Sequence, residues 1–89
     1  MKALPLTGAQ IRAARALLRW SADDLARASA LGVNTIRRAE LAEGLTSMTA
    51  ANDLSVRRAL ENAGVEIIEE NGGGPGVRLR KSSKTKKPT

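Results

Sequence analysis

Residues 21–40, SADDLARASALGVNTIRRAE, constrain this chain more than any other stretch. Two short helical patterns flank a turn of small residues, and the spacing predicts a helix-turn-helix. Ser21 can cap a first helix, with Asp24 three residues on, where a capping-box partner sits. Leu25 and Ala26 give that helix an apolar edge, and Ser29, Ala30 and Gly32 make the turn. A second helix is expected from Val33, with Ile36 and Ala39 inward and Asn34, Thr35, Arg37 and Arg38 outward. Ala26 is small where two helices meeting at a steep angle must cross. Amide and guanidinium groups on the outer face are the side chains that bond base edges bidentately.

Such a unit must bury its apolar edges against flanking elements, and the 89 residues are enough for one domain. Thr7 or Gly8 is expected to open a first helix through AQIRAARALLRW, with Ile11, Ala14, Leu17 and Leu18 as its buried stripe. Trp20, the only aromatic residue, reads as a cap on the core at the corner that follows rather than as a stacking platform for bases. Leu41-Ala42-Glu43-Gly44 looks like a helix end with Gly44 at the C′ position. A short helical turn is expected at 47–51, then a last helix with Asn52 as N-cap and Leu54, Val56, Ala59, Leu60 and Ala63 available for the core. Gly64 stops it, which makes five helical segments.

The remainder changes character. Residues 65–69 and 76–80 alternate and are rich in β-branched side chains, so they read as a β-hairpin around the glycine-rich connector 70–75. The connector is not read as a phosphate loop: no lysine-serine pair follows it and no helix starts behind it. A lone pair of strands is marginal in water. The hairpin must therefore pack on helices or pair with a second copy. From Lys81 onward KSSKTKKPT holds no apolar residue and is expected to be disordered.

One frame ties the helices to a known family. Leu25-Ala26, four intervening residues, Leu31, and then Thr35-Ile36-Arg37-Arg38 with Glu40 resemble the phage-repressor-like helix-turn-helix family, the Xre or Cro type. The likeness runs from Leu6 to Ala63. Ala22 stands where that family usually has Gln, Ala30 replaces its turn glycine, and Gly32 replaces its Ser cap. The resemblance implies a five-helix repressor-like domain over 1–64; with the C-terminal β-hairpin over 65–80 as a possible dimerisation element and the disordered basic tail over 81–89, the architecture expected is mainly α. The resemblance also matches Arg15 and Glu40 to a partly buried ion pair that fixes the recognition helix. Their own surroundings agree, since a charge beside apolar positions needs a partner; the alternative is two exposed charges.

In this motif the start of the second helix points into the major groove. Val33 and Asn34 would then approach base edges, Asn34 preferring adenine and Val33 a thymine methyl group. Arg37 could reach guanine or phosphate, and Arg38 reads as a contact to the DNA backbone. Gly32 and Ser21 lie at helix N-termini, where backbone N–H groups can hold phosphates. The competing reading of this set, with Thr35, is a solvated helix face. A net charge of +6 suits a polyanion, although four of the charges come from Lys81, Lys84, Lys86 and Lys87.

Other classes find little support. Without cysteine or histidine there can be no disulfide, no thiol catalysis and none of the commonest zinc sites. Asp23 and Asp24 favour a helix dipole, and Glu66, Glu69 and Glu70 read as a solvated strand face. Ser21, Ser29 and Thr35 have no histidine partner. The expectation is a non-enzymatic protein with no cofactor, no metal and no small-molecule substrate. The N-terminal stretch lacks a long apolar run and meets arginines early, so neither a signal peptide nor a membrane span is expected; a cytoplasmic location is the expectation, and the absence of cysteine is compatible with it.

The function expected is a transcription regulator that occupies an operator on double-stranded DNA, as a homodimer. The rival is an antitoxin or protein-interaction module with secondary DNA binding. Such a module would be expected to carry a long amphipathic partner-binding segment, and the tail has no apolar anchors. Val65, Ile67, Ile68, Val77 and Leu79 either form the dimer interface or cover the last helix of their own subunit.

Overall fold

The computed structural model describes residues 5–80. Helices α1 (Gly8–Leu18), α2 (Ala22–Ser29), α3 (Val33–Glu40) and α4 (Ala50–Asn62) are followed by strands β1 (Val65–Ile68) and β2 (Gly76–Leu79). Among the described residues the architecture is mixed: four helices and a two-stranded antiparallel hairpin, in place of the five helices expected. The expectation for the tail lies outside the described residues.

The first two helices start on full capping boxes. The Thr7 hydroxyl accepts from the Gln10 backbone N–H at 3.0 Å while Gln10 Oε1 accepts from the Thr7 N–H at 2.9 Å. Ser21 and Asp24 do the same for α2, at 3.0 and 2.8 Å. Each box satisfies two donors that a helix start leaves without partners. Arg19 and Ala30 close α1 and α2 in the left-handed region, at φ 59° and 60°.

The separate helical turn expected at 47–51 does not form: residues 47–49 are irregular, and Ala50 and Ala51 open α4 instead. The Gly8 N–H donates to the Gly44 carbonyl at 3.1 Å and the Thr46 N–H to the Leu6 carbonyl at 2.9 Å. Thr7 and Leu45 thus form an antiparallel bridge, which holds residues 44–46 in extended pairing immediately before the segment. Gly44 is consequently not a C′ residue; α3 ends at Glu40 with Leu41 as its C-cap. Nor is Asn52 a cap. The Thr49 hydroxyl accepts from the Asn52 N–H at 3.1 Å, and α4 begins at Ala50.

Leu6, Ile11, Leu25, Ile36, Val56, Leu60 and Val65 are fully buried at the centre, and the helix alanines Ala14, Ala26, Ala39 and Ala59 are buried among them. Leu17 and Leu54, expected inside, are instead exposed. The hairpin joins this core. Its register pairs Val65 with Leu79, Glu66 with Arg78, Ile67 with Val77 and Ile68 with Gly76. Period-two alternation puts Val65, Ile67 and Val77 on the face that packs against α1 and α4, which supplies the support that two strands alone lack.

Two polar side chains complete the assembly. Gln10 is 3% exposed, and its Nε2 donates to the Ile68 and Gly76 carbonyls, each at 3.1 Å. Arg57, also buried, binds Asp53 on its own helix and Glu69 beyond β1, both at 2.9 Å. Burial pulls the Arg57 guanidinium down, but the bonds to Asp53 and Glu69 outweigh it and hold its pKa above the ordinary arginine value.

Candidate nucleic-acid interface

Among the residues singled out in 21–40, Leu25 and Ala26 of α2 are buried. Ile36 and Ala39 are buried, and the opposite face of α3 presents Asn34, Arg37 and Arg38 to solvent. Among the described residues, neither Arg37 nor Arg38 is drawn into an ion pair. Their charge is therefore available to a partner. Val33 departs from the expectation of a purely outward side chain: it is half-buried and packs against the core. Thr35 is also half-buried and turns away from Asn34, towards the start of α4.

Behind Thr35 lies a cleft of about 200 Å³ lined by Thr35, Arg38, Ala39, Ser47, Met48, Thr49 and Asn52. It sets a guanidinium and several hydroxyl or amide groups at the edge of α3. Ser47, Thr49 and Asn52 had not been recognised as part of this surface. The sequence carries only a local signal: Thr49 before Ala50-Ala51 is a helix cap, which marks where α4 starts but not that it lies beside α3.

The two helix N-termini of the motif differ. At α2 the Ser21 hydroxyl is spent on the capping box, which leaves the first-turn N–H groups of Ala22 and Asp23 outside it. The Asp24 carboxyl is held below the usual carboxylate range, first by the Ser21 backbone N–H and also by the Ser21 hydroxyl and the Arg27 charge; exposure leaves desolvation too small to reverse it. At α3, Gly32 is the N-cap and no side chain bonds to the first turn. Both ends carry the partial positive charge of a helix start.

The rear of α3 is held firmly. Arg15 Nε lies 2.5 Å from Glu40 Oε2 and its Nη2 lies 2.9 Å from Glu40 Oε1, a two-pronged pair of the kind that fixes both angle and distance. Arg15 Nη1 donates to the Trp20 carbonyl at 2.9 Å, so the same guanidinium ties the α1–α2 corner to α3. The side chains are 23% and 10% exposed, and the Glu40 hydrogen bond raises the Arg15 pKa above its ordinary value. Trp20 itself packs against the core, as expected of a cap.

The acidic residues of the hairpin do not converge. Glu66 pairs with Arg78, Glu69 with Arg57, and Glu70 accepts from the Gly72 and Gly74 N–H groups. Among the described residues no helix is long and apolar enough to cross a membrane. No protein-family model matches the chain, and no curated protein matches it either.

Proposed function

We propose that this chain is a sequence-specific, double-stranded DNA-binding transcription regulator of the repressor-like type, acting in the cytoplasm by occupying its operator. The observation that carries the reading is α3: one face is buried at Ile36 and Ala39, the opposite face offers Asn34, Arg37 and Arg38, and Arg15 locks the helix from behind through Glu40. An amide and a guanidinium on a rigid exposed helix are suited to adenine and guanine edges, while Arg38 and the hydroxyls beside it are suited to phosphate. No chemistry on a substrate is called for.

Two-fold pairing belongs to the same reading, because one such unit spans only a few base pairs. Its support is the hairpin. Val65, Ile67 and Val77 are committed to their own subunit, but Leu79 is 51% exposed and the two-stranded sheet has outer edges with no strand beside them among the described residues. Sedimentation of the whole chain at micromolar concentration should give a dimer; a monomer would remove this part.

Selection from a random duplex pool tests the main claim. An enriched sequence should bind more tightly than its scrambled counterpart. Asn34→Ala or Arg37→Ala should cost about 1–3 kcal/mol on the enriched duplex and relax the preference. Arg38→Ala should weaken both duplexes alike, and removal of residues 81–89 should make the salt dependence shallower. A wild-type chain that enriches no sequence would overturn the proposal.

A further inference from the structure

The contacts between α1 and α3 extend beyond the ion pair. The first residue of α1, Gly8, sits so close to the end of α3 that a Cβ placed on it would lie 2.4 Å from the Ala42 carbonyl oxygen and 3.0 Å from those of Ala39 and Glu40. One turn later, Arg12 Nη1 donates to the Glu40 carbonyl. Helix-terminal carbonyls have no partner within the helix; here they abut α1. The opposite end of α3 has no side-chain cap, so the side-chain hydrogen bonds that fix the helix lie at its C-terminal end.

We propose that Gly8 and Arg12 are positioning residues for base reading, which set the tilt of α3 without touching DNA. The inference rests on the DNA-binding reading above. Asn34 lies six residues before Glu40, about 9 Å along the axis. A tilt of about 10° pivoting at the clamped end therefore moves it about 1.5 Å, which is more than a hydrogen bond to a base edge tolerates. Contacts to phosphate through long, adaptable arginines survive such a shift. Disturbing the clamp should thus remove discrimination before it removes affinity.

Gly8→Ala and Arg12→Gln test this. The first pushes on backbone that cannot swing aside, and the second removes an exposed guanidinium without disturbing the core. Each variant is titrated with the selected and the scrambled duplex over a salt series, and the backbone amide shifts of α3 are recorded without DNA. The α3 amides should move in both variants. The selected duplex should bind about tenfold more weakly and the scrambled one within about twofold of wild type, with the salt slope unchanged.

Equal weakening on both duplexes with a shallower salt slope for Arg12→Gln would make Arg12 a phosphate contact and overturn the proposal. Unmoved α3 amides in both variants would show that α1 does not set the tilt, whatever the DNA results. Should Gly8→Ala fail to fold, Arg12→Gln decides alone. Failure of wild type to prefer any duplex would be a failure of the DNA-binding reading, and the proposal would fall with it; the amide shifts would then still report separately on the clamp.

Discussion

Helix α1 grips its two neighbours by different means. Towards α3 it uses charge: Arg15 on the Glu40 carboxylate and Arg12 on the Glu40 carbonyl, at a rim that water still reaches. Towards the hairpin it uses a neutral amide: Gln10, almost wholly buried, donates to one carbonyl on each side of the hairpin. The charged seam fixes an angle between two helices, and the amide seam fixes a register, since Ile68 and Gly76 are directly opposed in the ladder. A small protein can thus orient its candidate reading helix and anchor a marginal hairpin from one element of 11 residues.

The seams can be broken separately. Arg15→Ala strands the Glu40 carboxylate in a largely buried position and should have the largest effect, about 2–4 kcal/mol of stability by urea unfolding; removing one partner of a buried pair costs more than that, but Arg15 is partly exposed. Loss below about 1 kcal/mol would place this pair with ordinary surface pairs. Gln10→Glu comes next. It keeps an acceptor for the Thr7 N–H, so the capping box can survive, but it turns a carboxylate towards two carbonyl oxygens. The cost should be about 2 kcal/mol, and protection of hairpin amides from exchange should fall before that of α2 and α3. Uniform loss of protection would show that the hairpin and helices open together.

The two seams also differ in how far they could be read without coordinates. Arg15 and Glu40 are charged residues beside apolar positions, so their need for a partner is written in residue type, and the resemblance drawn from residues 25–40 implied where the partner would stand. Gln10 gives no such signal. It completes Thr7-x-x-Gln, a local pattern that explains it fully and hides its bonds to residues 58 and 66 positions away. The α2–turn–α3 segment was legible for a different reason: its caps, turn and apolar edges span four residues or fewer. The separate helical turn expected at 47–51 does not form; Gly44 and Thr46, just before it, pair with Gly8 and Leu6, a non-local choice that propensity does not contain. At the candidate site Asn34, Arg37 and Arg38 were legible from periodicity, whereas the cleft shared with Ser47, Thr49 and Asn52 depends on how the irregular segment after α3 brings α4 alongside.

Within the motif, Ala30 pays a local cost for ending α2. It adopts φ 60° and ψ 35°, a conformation that costs an L-residue about 1 kcal/mol or more relative to glycine. Ala30→Gly should therefore stabilise the fold by about 1 kcal/mol, less whatever glycine gains in unfolded-chain freedom. A destabilised variant would mean that the alanine methyl group makes a compensating contact. The pH response sharpens the contrast between charged and neutral devices. Because the Asp24 pKa is lowered on folding, its contribution is present above the ordinary carboxylate value and is lost as pH falls through the lowered one. Below about pH 4 wild type should lose stability that Asp24→Asn has already forfeited, so the two unfolding midpoints should converge on acidification. Parallel midpoints would deny the carboxylate that role.

The smallest expected effect separates how α2 and α3 begin. Ser21 closes a full box on α2, whereas Gly32 leaves α3 without a side-chain cap. Its backbone, at φ −71° and ψ 148°, is nevertheless ordinary for a capping residue, and a Cβ at Gly32 would meet nothing within 4 Å. Gly32→Ser should therefore fit without strain and place a hydroxyl near the N–H groups of the first turn. Glycine is only a few tenths of a kcal/mol worse than serine at such a position, so the melting temperature should rise slightly. The DNA response is the more informative half of the experiment. If the first turn of α3 is held by the core through Val33 and Ile36, the preference among duplexes should not change. A change in preference with little change in stability would mean that the uncapped start of α3 moves when it meets DNA, and that the clamp at its far end is not sufficient to hold it.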